Sequence, residues 1–173
     1  NKFIYNKKLS TLNATNGVAT STSDNIQIKA NKFIYNKKLS TLNAIGNVEI
    51  WDLTLKVSAK SQNIFYNTKD RIIKSETDSI IKDELGNIFL TKSFTYTLND
   101  SLIKINNAKI TDTENNIFQT EKAFINLISK KLIANNISID FNNKSFQEDG
   151  EPRLKGNSLS TDGNTSVITG GVF

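Results

Sequence analysis

Residues 31–44 repeat residues 1–14 letter for letter. An identical stretch of that length at a spacing of thirty residues restricts the fold to an array of one small unit. Fainter copies extend the pattern. Tyr5, Tyr35, Tyr66 and Tyr96 form one column, with Asn126 in the fifth slot. Two residues earlier stand Phe3, Phe33, Ile64, Phe94 and Phe124. Seven residues later come Leu12, Leu42, Ile73, Ile103 and Ile133, and two beyond those Ala14, Ala44, Ser75, Ile105 and Asn135. These columns place units near 1–30, 31–60, 61–91, 92–121 and 122–148, followed by an exit segment over 149–173.

Within a unit the apolar period is two. Phe33/Tyr35, Leu42/Ala44, Val48/Ile50 and Leu53/Leu55/Val57/Ala59 alternate with polar neighbours, the mark of strands with one apolar face. Polar clusters that favour turns separate them: Asn36-Lys37-Lys38, Gly46-Asn47, Asn67-Thr68-Lys69-Asp70, Asn99-Asp100, Ser129-Lys130-Lys131 and Asn142-Asn143-Lys144. A second set, Asp83–Asn87 and Asp112–Asn116, closes the other end of two units. Each unit therefore reads as about three short strands, and the chain as all-β. Pro152 stands where regular repetition ends, with Leu159 and Val167-Ile168 as weaker strand signals beyond it. Two architectures suit such a unit: an elongated jellyroll of two facing antiparallel sheets, or a parallel β-solenoid. The few glycines, eight in 173 residues, favour the facing sheets, because tight solenoid coils use turn glycines freely.

Composition narrows the chemistry. No His, Cys or Met is present, which removes the commonest general base, thiolate nucleophiles, zinc sites and disulfides. The acids are scattered over turns, so no catalytic residue, metal site or cofactor is expected. The acidic cluster Glu148, Asp149 and Glu151 suggests no chemistry. The net charge of +5 is almost all lysine, with Arg71 and Arg153 the only arginines, and favours anionic partners weakly. No nucleic-acid partner is expected. No apolar run reaches the length of a membrane-spanning helix. Opening inside a repeat without an initiator Met, the chain reads as a piece of a longer protein.

Ala30-Asn31-Lys32-Phe33-Ile34-Tyr35-Asn36, followed by Leu42-Asn43-Ala44-Ile45-Gly46-Asn47-Val48-Glu49-Ile50, resembles the repeat of the OstA/LptA lipopolysaccharide-transport domains. The Gly-Asn-Val core is matched well only in the second unit; the first has Asn16-Gly17-Val18, and the later units lose the glycine. The exit segment, Glu151-Pro152-Arg153-Leu154-Lys155-Gly156-Asn157-Ser158 with Gly171-Val172-Phe173, is similar to the junction in the LptD family of outer-membrane lipopolysaccharide-assembly proteins. There a periplasmic OstA-like domain precedes a barrel.

That resemblance implies a β-jellyroll in the periplasm, attached to the outer membrane through the barrel, and a non-catalytic conduit for lipopolysaccharide. Its groove would take acyl chains of lipid A between the sheets. Candidates for the lining are Phe33, Tyr35, Leu42, Val48, Ile50, Val57, Ile73, Phe94, Tyr96, Ile103, Ile105, Phe124 and Ile133. The amino-terminal edge, with Phe3, Ile4, Tyr5, Leu12 and Val18, would pair with an LptA-like periplasmic protein. The other end would meet the barrel and its lipoprotein plug. Lys7, Lys8, Lys37, Lys38, Lys130 and Lys131, on equivalent turns, are candidates for contacts to lipid A phosphates; solvated turn lysines are the simpler reading. The competing function is a structural or adhesin-like β-solenoid with a closed core.

Overall fold

The structure, a computed structural model, describes residues 2–142, 152–161 and 165–172. Among these, every regular element is a strand and every pairing is antiparallel. The chain order begins β1 (Lys2–Asn6), β2 (Thr11–Ser21), β3 (Ile26–Asn36), β4 (Thr41–Asp52), β5 (Val57–Asn67), β6 (Ile72–Ser75) and β7 (Ser79–Lys82). It continues with β8 (Ile88–Thr97), β9 (Leu102–Thr111), β10 (Ile117–Asn126), β11 (Leu132–Asp140), β12 (Arg153–Thr161) and β13 (Ser166–Thr169). All thirteen form one sheet in sequence order, with β6 and β7 sharing one position between β5 and β8. The antiparallel ladder excludes the parallel solenoid.

A unit is thus two long strands and two turns, where three short strands were expected; only the third unit, with β6 and β7 split, has the shorter pieces. Gly46-Asn47 is the reason. It lies inside β4 and is a crease in the strand, not a turn. Gly46 (φ 79°) and Asn47 (φ 48°) are both left-handed, and Asn16, Asn107 and Asn136 (φ 50°, 49° and 50°) mark the same place on β2, β9 and β11. Asparagine tolerates this region better than other residues with a Cβ. The ladder is interrupted or shifted there, between Lys29 and Lys32 on β3 and between Ile45 and Val48 on β4. An extra residue at the crease also changes which parity faces inward. On β3 the inward set runs Ile26, Ile28, Ala30 and then Phe33; on β5 it runs Val57, Ala59, Ser61 and then Ile64, Tyr66.

The turns form two rows, one at each end of the strands. The first row holds 7–10, 37–40, 68–71, 98–101 and 127–131; the second holds 22–25, 53–56, 83–87 and 112–116. Leu53 and Leu55, expected in a strand, lie in a second-row turn. Several turns end in a left-handed residue, such as Ser10, Ser40, Arg71 and Ser101. The carbonyl of that residue accepts from the next turn of the row: Lys37 N to Ser10 O at 2.9 Å, Thr68 N to Ser40 O at 2.9 Å, Leu98 N to Arg71 O at 3.0 Å. The turns therefore stack as continuations of the sheet. Asn6, Asn36, Asn67 and Asn126 each cap the turn that follows them, accepting backbone N–H groups on Oδ1.

Folding along the crease brings the two rows of turns together. Asp24 of the second row meets Arg71 of the first at 2.7 Å, and Asp52 meets Tyr96 at 2.6 Å. The two halves of one creased sheet therefore face each other, which is the form the two facing sheets take. Their inward side chains make one apolar cluster that runs from Ile26 to Leu159. Beyond Pro152, β12 and β13 extend the same sheet and carry Leu159, Val167 and Ile168. Glu148, Asp149, Glu151 and Phe173 lie outside the described residues, as do Asn143 and Lys144.

Candidate functional site

Three features qualify as a site: the apolar interior, its open amino-terminal end, and the seam where the two rows of turns meet.

Of the expected lining residues, Phe33, Val48, Ile50, Val57, Ile73, Phe94, Tyr96, Ile103 and Ile105 are all buried between the two halves. Tyr35 and Leu42 are half-buried nearer the amino-terminal end. Mid-length, the interior is packed. The gap among Ile50, Val57, Ile73, Ile81, Phe94, Tyr96 and Ile103 holds only about 20 Å³, room for about one water. Ile26, Ile28, Tyr66, Ile81, Phe89, Ile110, Ile137 and Ile139 also face inward and were not among the expected lining. Most of them lie on the second-row half of the strands, past the crease, where the inward parity has slipped.

Phe124 and Ile133 do not join this interior. The inward residues of β10 and β11 are Ala123, Ile125, Ala134, Ile137 and Ile139, while Ile133 is 46% exposed on the outer face. The register explains the shift. Tyr96 pairs with Ile103, and Ile103 with Ile125, so Ile125 and not Asn126 continues the tyrosine column. Asn126 occupies the turn-capping slot of Asn36 and Asn67. The fourth unit is one residue shorter than the columns assumed, 29 residues from Tyr96 to Ile125, so the whole fifth unit is displaced by one.

At the amino-terminal end the interior opens. A cavity of about 560 Å³ is lined by Phe3, Leu12, Ala14, Ala19, Ile26, Ile28, Phe33, Tyr35, Leu42 and Tyr66 among others. Its size lies within the ~300–1,000 Å³ of small-molecule sites. Phe3 and Tyr5 face the same side as Phe33 and Tyr35, through the register Phe3↔Ala14↔Phe33 and Tyr5↔Leu12↔Tyr35. With no further strand covering them among the described residues, they are 68% and 57% exposed. Ile4 and Val18 point to the outer face and are exposed as well. The sheet edge here is stepped. β1 covers β2 only from Thr11 to Thr15, so among the described residues Gly17–Ser21 has a ladder partner on one side alone, β3.

The seam is built from acids that composition had left without a role. Asp24, its side chain 4% exposed, accepts from Tyr66 Oη, from Ser21 Oγ at 2.8 Å and from Arg71 Nε at 2.7 Å. Burial pushes the Asp24 carboxyl up, but Tyr66, Ser21 and the Arg71 guanidinium together outweigh it and hold the group below its ordinary value. Burial, and then the hydrogen bond to Asp24, push the Tyr66 phenol up to about 12. The same causes, with Asp52 as acceptor, raise Tyr96 further still. Asp52 also accepts the N–H groups of Thr54 and Leu55 at 2.9 and 2.8 Å, capping its own turn. Glu84 closes the seam on the surface, bonded to Lys56 at 2.9 Å and Lys130 at 3.2 Å, and these two lysines hold its carboxyl below the usual value. A spacing of 28 and then 32 residues between Asp24, Asp52 and Glu84 was the signal available in the sequence.

The lysine pairs all stand on the first row of turns. Lys7, Lys8, Lys37 and Lys38 are exposed on two stacked turns, whereas Lys130 is committed to Glu84. An open depression of about 800 Å³ lies on the outer side of the crease, past Asn107, Lys109, Gln119, Glu121, Asn136 and Asn157. No group of three or more acidic side chains among the described residues could hold a metal ion.

No family model matches the sequence, and no curated protein matches it significantly. Among solved structures, the fold is similar to that of LptH from Pseudomonas aeruginosa, described as the LptA-homologous periplasmic component of a conserved lipopolysaccharide transport device. The TM-score is 0.58 over 87% of this chain and 99% of that one, at 11% sequence identity. At that identity the likeness is one of fold.

Proposed function

We propose that the chain is a non-catalytic, periplasmic lipopolysaccharide-binding segment. It takes acyl chains at its amino-terminal mouth and docks there, by strand pairing, to a bridge protein of the same folded-sheet type. The observation that carries this reading is an apolar cavity of about 560 Å³ at the amino-terminal end, with Phe3 at its rim and Tyr5 exposed on the same face, beside a stretch of β2 with one ladder partner among the described residues. Exposed aromatic residues contiguous with an interior are covered in use by a ligand or a partner. Each acyl methylene removed from water contributes about 0.8 kcal/mol, so several chains bind firmly with little demand on sequence. The repeat motif and the fold shared with LptH support lipopolysaccharide as the lipid. The junction-like exit segment supports an LptD-type protein, in which residues 1–148 form the OstA-like array. In that reading residues 149–173 lead to an outer-membrane barrel with its lipoprotein plug. Lys7, Lys8, Lys37 and Lys38, exposed on two stacked turns, would meet lipid A phosphates.

A second reading, a structural array with a dry core, is favoured by the packed mid-section around Ile73, Phe94 and Ile103. Photoreactive residues separate the two. Replacing Leu12, Tyr35, Phe94 or Ile103 by a photocrosslinking residue should give lipopolysaccharide adducts from the mouth positions and, if lipid passes along the interior, from Phe94 and Ile103. Phe124 and Ile133 serve as outer-face controls. Adducts from the controls and from none of the four inward positions overturn the conduit.

A further inference from the structure

The first row of turns repeats one backbone with different tips. Leu9 N–H donates to Oδ1 of Asn6 at 3.0 Å, and Leu39 N–H to Oδ1 of Asn36 at 3.0 Å. At the same place in later turns, Asp70 donates to Asn67 at 3.0 Å and Ser129 to Asn126 at 2.8 Å. The next residue is left-handed in all four, at Ser10, Ser40, Arg71 and Lys130. Turns that keep this geometry with an aspartate or a serine at the tip have no structural need of a leucine there, and turn tips are ordinarily polar. Leu9 and Leu39 are nevertheless 61% and 62% exposed. The exposure is not an effect of the sheet's edge. The turn of Leu39 is flanked on both sides, with Lys37 N donating to Ser10 O and Thr68 N to Ser40 O, each at 2.9 Å.

Lysines surround both leucines. Lys7, Lys8, Lys37 and Lys38 are exposed, and none has an ion-pair partner among the described residues. These two turns carry no acid, whereas the next two in the row carry Asp70 and Asp100. We infer that the turns 7–10 and 37–40 form a membrane-contacting edge, in which Leu9 and Leu39 enter a bilayer surface and the four lysines meet its anionic headgroups. At such an interface apolar side chains reach the acyl boundary while ammonium groups stay at the level of the headgroups. The edge offers charge and apolar tips without a groove or a free ladder, so it asks no fixed shape of what it meets, and a fluid headgroup layer has none. The inference goes beyond the proposed function, because it concerns the outside of the fold and stands whether or not lipid enters the interior. It shares the lysines with that reading but places their phosphates in a bilayer surface.

The test is cosedimentation of the whole chain with phosphatidylcholine vesicles, with and without phosphatidylglycerol. The vesicles hold no lipopolysaccharide, which keeps the outcome independent of the conduit. Binding is expected to the anionic vesicles alone and should weaken with added salt. Leu9→Ser with Leu39→Ser, the residue of the fifth turn, should lower the vesicle affinity by about tenfold or more and leave the urea midpoint unchanged. Lys37→Gln with Lys38→Gln should lower it about thirtyfold. Depth is read separately. The chain has no cysteine, so Leu39→Cys and Asp100→Cys each take a single environment-sensitive label. On anionic vesicles the label at the first position should shift to the blue, and the label at the second should not. Absence of binding to anionic vesicles overturns the inference, as does binding that survives the loss of both leucines, or equal behaviour of the two labels. Binding of inorganic phosphate without binding of vesicles also overturns it and reduces the lysines to a phosphate site.

Discussion

Asp52 offers the sharpest test of the seam. Its carboxylate accepts three hydrogen bonds, from Tyr96 Oη at 2.6 Å and from the N–H groups of Thr54 and Leu55, and the residue is only 6% exposed. Asp52→Ala leaves a buried phenol and an uncapped turn. A hydrogen bond to a charged group contributes about 1.5–3 kcal/mol, and loss of a side-chain cap about 1 kcal/mol. Allowing for relaxation, the expected loss is about 3 kcal/mol. With an m-value of about 2 kcal/mol/M for a chain of this size, the urea midpoint falls by about 1.5 M. Tyr96→Phe leaves the carboxylate its two backbone donors and should cost about 1–2 kcal/mol. The double variant isolates the pair, and a coupling of about 1.5 kcal/mol is expected. Trp51, the only tryptophan, is adjacent to Asp52 and reports the local transition by fluorescence. That matters in an array whose units can unfold separately. A loss below about 1 kcal/mol for Asp52→Ala, or strict additivity in the double variant, would refute the seam as a stabilising contact.

The remaining expectations test the other parts of the structure. In an alkaline titration followed by phenolate absorption, Tyr66 should ionise near pH 12; because its folded value is raised from 10.0, the stability it contributes is complete below pH 10 and lost as pH rises through about 12. Asn107→Gly should leave the urea midpoint nearly unchanged, whereas Asn107→Val at φ 49° costs about 1–2 kcal/mol. Ile125→Ala should cost about 2–4 kcal/mol and Ile133→Ala less than about 1 kcal/mol, since the first is 6% exposed and the second 46%. Phe33→Ala should cost about 3–5 kcal/mol in the isolated chain, while Phe3→Ala changes stability by no more than about 0.5 kcal/mol.

The array, its strand content and its period of two were legible because a sheet writes its geometry into every second residue. Nine of the thirteen expected lining residues, from Phe33 to Ile105, are buried inside, since alternation within a half-strand is local. The crease was not legible in the same way. Gly46-Asn47 carries the composition of a turn, and nothing local says that the ladder resumes at Val48; the tertiary fold decides it. The same extra residue reverses parity on most strands, which is why Ile26 and Ile28 escaped notice. In the fifth unit, Asn126 was matched to the tyrosine column by spacing, although its chemistry is that of a turn cap, as at Asn36 and Asn67. The seam was hidden for another reason. Asp24 and Tyr66 lie 42 residues apart, and only the closing of the sheet relates them.

The duplicated stretch provides its own control for what the rest of the fold adds. Phe3 and Phe33 have the same fourteen-residue context, yet one is 68% exposed and the other 5%. Ala14 is half-buried where Ala44 is 1% exposed. Local propensity is identical in the two copies, so the whole difference comes from which strands lie alongside. At Phe33 the covering is complete because β2 and β4 flank β3 and the opposite half of the sheet closes over it. At Phe3, β2 is present on one side and nothing lies on the other among the described residues. The exposed aromatic surface at the mouth is therefore the interior face of a unit with no neighbour on that side among the described residues. A partner of the same fold that pairs with this edge would cover Phe3 as β2 covers Phe33 and continue the apolar interior across the junction. A partner of another fold could pair with the edge strand, but it would leave Phe3 and Tyr5 wet.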